Sequence, residues 1–374
     1  MNFLFACGGT AGHINPALAI AKEMCRRMPD TKILFVGADN TMENELVPKA
    51  GYELVNIRMS GLKRGFYPSD LIKNLKTVKN LAFAGRKTAE IIKGFVPDAV
   101  IGTGGYICYP VLRKAAHMGI PTIIHESNAI PGLTTRLLST IVDKVLVSFP
   151  GLENNYRRPE RVVFTGTPVR GGFKVESACN GSSDSGRKPL ILSFWGSLGA
   201  SRMNETIIEF MKLNISRKEF SHIHAAGRLC NATEMISRIM PQGASVNLPP
   251  DIEIRDYIDD IHAVMVAADI VISRAGGSTI AELTAMGKPA VLIPSPYVSN
   301  NEQVKNAEQL CLAGGAVVLE EKNCSGEVLF ETISGILRDN NRLKSMSAAQ
   351  KAIGKPRATE EIAELVLSQI ISNK

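Results

Sequence analysis

The chain has 374 residues, a length typical of two or three domains. Hydrophobic residues make up 45% and charged residues 21%, which excludes wholesale disorder, and the apolar segments are too short to predict a membrane-spanning helix. The start of the chain has no basic leader, so we expect no signal peptide. Seven scattered cysteines without a Cys-x-x-Cys pair predict reduced thiols rather than a zinc site or a disulfide scaffold.

The positive charge is concentrated in the first half of the chain. Residues 1–165 contain 21 Lys and Arg against 13 Asp and Glu, a net charge of +8, whereas residues 166–374 carry −1. The window 58–93 alone carries +7, which equals the net charge of the whole chain. Such a local excess predicts one anionic partner surface. We expect no nucleic-acid binding, because the window lacks a recognised module and has few aromatic residues for stacking.

Short apolar segments alternate with helical patterns along the whole chain. Four of these segments are followed by a glycine-rich turn and then a helix: Phe3–Cys7, Ala99–Ile101, Leu190–Phe194 and Ile270–Ser273. Further strands are predicted over 33–36, 122–124, 144–147, 162–165, 222–225 and 290–293, and a last helix over 358–371. This alternation predicts parallel sheets covered by helices on both faces.

The pattern of glycine-rich turns restarts in the middle of the chain. We therefore expect an α/β protein of two Rossmann-like parallel-sheet domains facing a central cleft. The first domain is predicted to comprise residues 1–165 with the C-terminal helix of about 358–374, and the second residues 166–357. Ligands of such sheets bind beyond the carboxyl ends of the strands, where the glycine-rich turns lie.

The glycine-rich turns are candidate phosphate sites. Glycine lets the backbone approach a phosphate, and the N–H groups and dipole of the following helix favour negative charge. Any single turn could equally be a tight strand-to-helix connection, but four turns favour a nucleotide ligand. Neither the G-x-G-x-x-G pattern nor a P-loop occurs, which disfavours hydride transfer and P-loop hydrolysis.

His13 lies beside the first glycine-rich turn. Asn15 as N-cap and Pro16 as first helical residue predict that the helix begins there, with His13 just before it. An imidazole at an anion-binding turn can act as a base, although a lone histidine is often structural.

Several other polar residues have both a structural and a functional explanation. Thr279 and Glu282 fit a capping box, which competes with a ribose-binding role for Glu282. Gln303 can close a cap at the start of its helix, and Asn128 can be a turn residue. Arg170 lies at the predicted domain junction and can pair with a carboxylate.

Taken in order, several segments resemble the MurG family of peptidoglycan glycosyltransferases. The matching segments are 8–16, 104–106, 125–132, 166–170, 273–282 and 303–307. The combination is specific, although the first glycine-rich motif alone occurs in other lipid glycosyltransferases. The resemblance implies the GT-B fold. It also implies an inverting enzyme that moves N-acetylglucosamine from UDP-GlcNAc to the 4-hydroxyl of the muramyl sugar of lipid I, which gives lipid II in peptidoglycan synthesis.

The resemblance also implies roles for the residues at matching positions. Ile258 would read the uracil through its backbone, aided by Arg170, while Glu282 would hold the ribose. His13 would be the candidate catalytic base. The other residues implied to bind the donor are Ser197, Gly277, Ser278, Thr279, Ile280 and Ala281 for the diphosphate, Gln303 and Asn128 for sugar hydroxyls, and Thr10, Ala11 and Gly12 closing over it.

Two motifs depart from the family pattern. The second glycine-rich motif usually reads Gly-Gly-Ser-Gln-Gly-Ala in the family, whereas residues 195–200 read Trp-Gly-Ser-Leu-Gly-Ala here, and Ala11 replaces a common glycine. We expect no tightly bound cofactor and no obligatory metal. Helix N-terminal N–H groups at Gly277 and Ser278 can stabilise the leaving UDP, and no Asp-x-Asp follows a predicted strand.

A membrane-bound acceptor implies a peripheral enzyme at the cytoplasmic face of the cell membrane, with anionic inner-membrane lipids as further partners. Apolar residues at helical spacing around Lys73, Lys76 and Lys79 predict an interfacial amphipathic helix, or an ordinary surface helix whose apolar face lies in the core. The alternatives are a GT-B transferase acting on a diacylglycerol lipid, a UDP-GlcNAc epimerase and a non-catalytic nucleotide-binding membrane scaffold.

Overall fold

The structure is a computed structural model that describes residues 1–59, 83–169, 186–240 and 248–372. It divides into two compact units: unit 1 comprises Met1–Phe173 with Lys355–Lys374, and unit 2 comprises Lys174–Gly354. Each unit is an α/β domain built on a parallel sheet, which confirms the predicted fold class. Within the described ranges, no helix is both long and apolar enough to cross a membrane. The sites predicted at Lys73, Lys76, Lys79 and Arg170 lie outside these ranges.

Unit 1 is a seven-stranded sheet with helices. Its strands are β1 (Asn2–Ala6), β2 (Lys32–Ala38), β3 (Glu53–Ile57), β4 (Ala99–Gly102), β5 (Thr122–Glu126), β6 (Lys144–Val147) and β7 (Val162–Phe164). Its helices are α1 (Ala11–Arg27), α2 (Glu43–Lys49), α3, described over 83–95, α4 (Cys108–His117), α5 (Leu133–Leu138) and, at the end of the chain, α13 (Ala358–Ser372). The strand order is β3-β2-β1-β4-β5-β6-β7, and neighbouring strands are parallel.

The core of unit 1 includes the last helix of the chain. Apolar residues of β1, β2 and α1 form one buried cluster with Ile362, Ala363 and Val366 of α13. Phe5 and Phe35 stack in this cluster with their ring centroids 5.1 Å apart. The N-terminal strand and the C-terminal helix therefore belong to the same core.

Unit 2 is a six-stranded sheet with helices. Its strands are β8 (Leu190–Phe194), β9 (Ser221–Ala225), β10 (Ile252–Arg255), β11 (Ile270–Ser273), β12 (Ala290–Leu292) and β13 (Ala316–Val318). Its helices are α6 (Ser201–Arg217), α7 (Ala232–Ile239), α8 (Ile261–Ala267), α9 (Gly277–Met286), α10 (Glu302–Leu312), α11 (Gly326–Leu337) and α12 (Asn340–Ile353). The strand order is β10-β9-β8-β11-β12-β13, again parallel throughout the described strands.

In each sheet the order in which successive strands are added reverses at one point, the topological switch point. In unit 1 this point lies between β1 and β4, and in unit 2 between β8 and β11. Connections on the two sides of such a point leave in opposite directions, so a crevice opens at the carboxyl ends of the two strands. All four glycine-rich turns of the sequence follow these four strands.

Candidate functional site

The two glycine-rich turns of unit 1 pack backbone against backbone. The Gly8 N–H donates a hydrogen bond to the carbonyl oxygen of Gly104 at 3.3 Å. Gly105 has φ +90°, and a Cβ atom on it would lie 2.5 Å from the carbonyl oxygen of Gly8. Only glycine allows this close approach together with a left-handed backbone. The turns after β1 and β4 thus form one rigid surface at the switch point.

His13 lies in the first turn of α1, because this helix begins at Ala11 with Thr10 as N-cap. The prediction that the helix starts at Asn15–Pro16 is therefore wrong. Pro16 lies inside the helix and removes only the hydrogen bond that its missing N–H would donate to Gly12. The Thr103 hydroxyl donates to the His13 carbonyl at 2.6 Å and helps to hold this first turn.

The His13 imidazole has a defined orientation. Its Nδ1 lies 3.0 Å from the carbonyl oxygen of Gly8. A carbonyl can only accept, so Nδ1 carries the proton, and the neutral ring keeps its lone pair on Nε2. Gly104 has φ +120°, and a Cβ atom on it would lie 2.4 Å from the His13 ring. The turn after β4 therefore fits directly against the imidazole.

Glu43 supports the first glycine-rich turn from below. Its carboxylate is fully buried and accepts hydrogen bonds from the N–H groups of Gly9, at 3.1 Å, and Ala38, at 3.0 Å. It thereby ties the turn after β1 to the end of β2. The sequence analysis did not identify this residue.

Glu126 shapes the turn after β5. Its carboxylate accepts hydrogen bonds from the backbone N–H of Asn128, at 3.1 Å, from the Asn128 amide, at 3.2 Å, and from the N–H of Gly132, at 3.0 Å. The neighbouring His125 is buried and donates from Nε2 to the carbonyl oxygen of Gly166. Burial lowers the pKa of His125 to about 4, so this ring is neutral and structural.

The second glycine-rich motif is packed against the turn after β9. The backbone carbonyls of Ser197 and Leu198 accept hydrogen bonds from the N–H groups of Arg228, at 3.1 Å, and Leu229, at 3.2 Å. Gly199 has φ +85°, and a Cβ atom there would lie 2.3 Å from the Ala226 carbonyl oxygen. Gly199, where the family pattern also has glycine, is therefore needed because the Ala226 carbonyl leaves no room for a side chain.

The N-terminus of α9 faces the same edge of the sheet as Ser197, since β8 and β11 are paired and Phe194 lies opposite Ser273. Gly276 is the N-cap and offers no side chain. The first intrahelical hydrogen bond runs from the Ile280 N–H to the Gly276 carbonyl, so the N–H groups of Gly277, Ser278 and Thr279 have no partner within the helix. Three aligned donors at a switch point are the geometry of a candidate anion site.

The capping-box explanation of Glu282 is wrong. Thr279 is the third residue of α9 rather than its N-cap, because the helix begins three residues earlier than the box requires. Glu282 therefore lies in the second turn of the helix and is half-buried. The Ser278 hydroxyl oxygen is buried and has no hydrogen-bond partner among the described residues.

The remaining predicted donor residues follow other strands of the same sheet. Gln303 does not cap α10, whose N-cap Asn301 has a left-handed backbone. Instead its Oε1 accepts from the Ser295 N–H at 2.9 Å, beside the end of β12. Ile258 is buried after β10, and Asp260 caps α8 by accepting from the Ala263 N–H at 3.1 Å. Gln303 and Ile258 thus both lie at the carboxyl edge of the unit 2 sheet.

Arg274 connects the ends of several strands in unit 2. It follows β11, and its guanidinium is 2.6 Å from the buried carboxylate of Glu321 and donates to the Ile293 carbonyl at 2.9 Å. Its central carbon lies 5.8 Å from the centroid of the Trp195 ring. The matching segments contained Arg274, but nothing in the sequence paired it with Glu321.

A chain of hydrogen bonds under the second glycine-rich motif contains two buried histidines. Asn204 donates to the Ala226 carbonyl at 3.0 Å, so its oxygen accepts from His224 Nε2 at 3.2 Å. His224 Nδ1 is then free to accept from the Ser193 hydroxyl, which in turn accepts from His222 Nε2, both at 2.7 Å. Every donor is satisfied only if both imidazoles are neutral.

Comparisons with known proteins agree with this architecture. Residues 3–147 match the glycosyltransferase family 28 N-terminal domain, and residues 190–362 match the glycosyltransferase family 28 C-terminal domain. A crystal structure of MurG from Acinetobacter baumannii is similar with a TM-score of 0.76 and 26% identity, over 98% of this chain and 99% of that one.

Curated relatives match along the whole chain. The UDP-N-acetylglucosamine--N-acetylmuramyl-(pentapeptide) pyrophosphoryl-undecaprenol N-acetylglucosamine transferase of Acetivibrio thermocellus is 42% identical, over 100% of this chain and 99% of the relative. The enzyme of the same name from Caldanaerobacter subterraneus subsp. tengcongensis is also 42% identical, over 98% and 99%. The chain therefore belongs to glycosyltransferase family 28 and, within it, to the MurG family of N-acetylglucosamine transferases.

Proposed function

We propose that this glycosyltransferase moves N-acetylglucosamine from UDP-GlcNAc to the 4-hydroxyl of the muramyl sugar of lipid I, and so makes lipid II for peptidoglycan synthesis. The names of its curated relatives describe this transfer. The single observation that carries the proposal is the free N-terminus of α9 beside the turn of Ser197. This arrangement is a ready-made site for a diphosphate.

The donor is assigned mainly to unit 2. The first turn of α9, residues 277–281, cradles the diphosphate through the N–H groups of Gly277, Ser278 and Thr279 and the Ser278 hydroxyl, together with Ser197. Glu282 holds the ribose hydroxyls. Ile258 reads the uracil through its backbone, aided by Arg170, and Gln303 binds the sugar. From unit 1 we propose Thr10, Ala11, Gly12 and Asn128 as further donor contacts. Support comes from the residues of this set within the described ranges, which follow strands at the carboxyl edges of the two sheets.

His13 is the proposed base. Its Nε2 keeps the lone pair of the neutral ring, because Nδ1 donates to Gly8. It can take the proton of the acceptor hydroxyl as that oxygen attacks the anomeric carbon. The attack breaks the bond from the anomeric carbon to UDP and inverts the α-linked donor to a β-1,4 link. The N-terminal N–H groups of α9 stabilise the charge on the departing UDP.

The transfer itself can be measured directly. Purified enzyme is incubated with radiolabelled UDP-GlcNAc and lipid I in detergent, and the lipid fraction is counted. We expect label in lipid II and equal rates with and without EDTA, because the stabilising donors are backbone N–H groups. Diacylglycerol as acceptor is the control. Labelling of diacylglycerol alone, or UDP binding without any transfer, would refute the proposal, and strict dependence on Mg²⁺ would refute its metal-independent part.

The acceptor lipid places the enzyme at a membrane surface. The part of the basic window that the structure describes includes α3, on which Ala84 and Ile92 are buried while Phe83 is 60% exposed beside Arg86 and Lys87. An exposed aromatic ring among basic side chains suits the interface of an anionic bilayer. We propose that Lys73, Lys76 and Lys79 extend this surface and contact anionic lipids.

A further inference from the structure

Trp195 occupies a position where the family pattern has glycine. It directly follows β8 and precedes the glycine-serine pair of the second glycine-rich motif, and its side chain is only 5% exposed. The ring belongs to the buried apolar cluster of unit 2 and lies 6.3 Å from the His224 ring. A glycine at this position would leave the space of the indole to be filled by other groups or by water.

The Trp195 ring forms one wall around Arg274. The guanidinium lies 5.8 Å from the ring centroid, within the range of a cation–π interaction. The other neighbours of the guanidinium are the Glu321 carboxylate and the Ile293 carbonyl, and the Arg274 and Glu321 side chains are 11% and 3% exposed. An ion pair this well buried depends on the groups that exclude water from it. Trp195 is one of those groups.

Arg274 in turn holds the backbone segment that leads into α9. The helix begins three residues later, and the carbonyl of the intervening Ala275 accepts a hydrogen bond from the Asn306 amide at 3.0 Å. The direction of the N–H groups of Gly277 and Ser278 therefore depends on where the backbone of Arg274 is held. Since Arg274 contacts groups after β8, β12 and β13, it holds the turn after β11 against the ends of three other strands.

We propose that Trp195 is a positioning residue for the donor diphosphate, acting through Arg274. The inference rests on the proposed function, because it assumes that the N-terminus of α9 binds the diphosphate of UDP-GlcNAc. The indole excludes water from the Arg274–Glu321 ion pair. The ion pair holds the backbone before α9, and so the N-terminal N–H groups of α9 keep their orientation towards the ligand. The glycine of the family pattern has no side chain that could shield this ion pair, whereas the indole of Trp195 does.

Binding of UDP and transfer kinetics test the proposal. Trp195→Leu should raise the Kd for UDP and the KM for UDP-GlcNAc by about 5- to 30-fold, the equivalent of a lost cation–π contact. The kcat at saturating donor should fall as well, because the N–H groups of α9 that hold the diphosphate in the ground state also stabilise the charge on the departing UDP. Trp195→Phe keeps an aromatic face and should stay within about threefold of the wild type.

A matched control separates positioning from stability. Phe220→Leu also truncates a buried aromatic residue of unit 2, at the amino end of β9 and away from the turns. It should destabilise the protein to a similar degree while the Kd for UDP stays unchanged. An equal loss of UDP affinity in Phe220→Leu and Trp195→Leu, or wild-type affinity in Trp195→Leu, would overturn the proposal.

A double-mutant cycle tests the route through Arg274. Arg274→Lys keeps a charge near Glu321 but loses the planar face that packs against the indole. If Trp195 acts through Arg274, the double variant Trp195→Leu/Arg274→Lys binds UDP no more weakly than the weaker single variant. Additive losses would overturn the proposal. A wild-type protein that does not bind UDP would instead refute the proposed function, so the two failures are distinguishable.

Discussion

The orientation of the His13 imidazole is set by a backbone carbonyl, that of Gly8. The bond fixes the tautomer, and the turn after β4 fixes the ring because Gly104 lies against it. Two glycine-rich turns thus orient one side chain. If His13 is the base, its effect is confined to proton transfer, and donor binding does not depend on it.

Replacement of His13 by Ala should lower kcat by about 10²- to 10⁴-fold, the usual contribution of a general base. The Kd for UDP, measured by calorimetry, should remain that of the wild type. His117→Ala is the control, because it removes an exposed imidazole at the end of α4. A kcat near the wild-type value in His13→Ala would exclude His13 as the base.

Removal of the Glu43 carboxylate should destabilise unit 1. Glu43→Ala leaves the buried N–H groups of Gly9 and Ala38 without their acceptor, at about 1–3 kcal/mol each. We expect a loss of about 2–6 kcal/mol in the free energy of unfolding, measured by urea denaturation. Glu45→Ala, an exposed neighbour on α2, should change it by less than about 0.5 kcal/mol. Equal stability of the two variants would contradict this role of Glu43.

The sequence could indicate which residues lie at the turns but not which buried partners hold them. Ser197 and Gly277 were found because glycine-rich turns follow apolar strands, a local pattern. Glu43 contacts Gly9 across 34 residues, and Glu321 contacts Arg274 across 47. Such pairings are set by strand order, and a carboxylate that will be buried looks in sequence like any surface carboxylate.

Among the elements, the sequence predicted the interior strands and the edge strand β7, and missed the three other strands that form sheet edges. β3 is an edge of the unit 1 sheet, and β10 and β13 are the two edges of the unit 2 sheet. Edge strands are only partly buried, so β10 alternates Ile252 and Ile254 with charged residues and shows no continuous apolar run. Most interior strands are covered on both faces and mainly apolar, so they are easier to recognise, although β5 and β9 contain buried polar residues.

The helix starts were less predictable than the helices themselves. Asn15–Pro16 is a good local start signal, yet α1 begins at Ala11. Contacts to the neighbouring turns, through Gly8 and Thr103, hold the additional residues in helical conformation. In the same way, α9 begins at Gly277 although Thr279 and Glu282 form a local cap signal.

The buried histidine pair should make unit 2 sensitive to acid. Burial lowers the pKa of His224 to about 3 and also lowers the pKa of His222 well below its ordinary value. The folded state then binds fewer protons than the unfolded state below the ordinary histidine pKa of about 6.5. Stability is therefore full above this pH and falls as the pH decreases. Each histidine should remove about 2 kcal/mol from the free energy of unfolding between pH 6.5 and 5.

Urea denaturation at pH 7.5 and 5.0 measures this effect. Trp195 is the only tryptophan of the chain, so its emission reports on unit 2. Replacing both His222 and His224 with Gln should flatten the pH dependence, whereas His117→Gln, at an exposed site, should leave it as steep as in the wild type. A double variant with the wild-type pH dependence would show that other groups are responsible.

For the molecule as a whole, the uneven charge predicts that the basic window binds anionic membranes. Each basic side chain near an anionic bilayer contributes about 1 kcal/mol. Reversal of Lys73, Lys76 and Lys79 to Glu should therefore weaken binding to phosphatidylglycerol vesicles by about 100-fold or more in flotation assays. Reversal of Lys212, Lys322 and Lys344, all exposed on unit 2, makes the same change in net charge. Equal flotation of the two variants would exclude a specific lipid-facing surface.

The C-terminal helix should stabilise the unit that begins the chain. Ile362 of α13 is fully buried in the core of unit 1, so Ile362→Ala should lower the free energy of unfolding by about 2–5 kcal/mol. Ile371, on the same helix, is 73% exposed, and Ile371→Ala should cost less than about 0.5 kcal/mol. The comparison uses one residue type and one helix, and similar urea midpoints for both variants would contradict the packing of α13.

The return of the chain to unit 1 also has a consequence for biosynthesis. A ribosome completes the whole of unit 2 before it makes α13, although β1 is translated first. The N-terminal unit is therefore the last to be finished, against the usual order in which N-terminal domains fold first. Until α13 emerges, the apolar face of α1 that it covers stays open to water, and a nascent chain stalled before residue 358 should be a preferred client of chaperones.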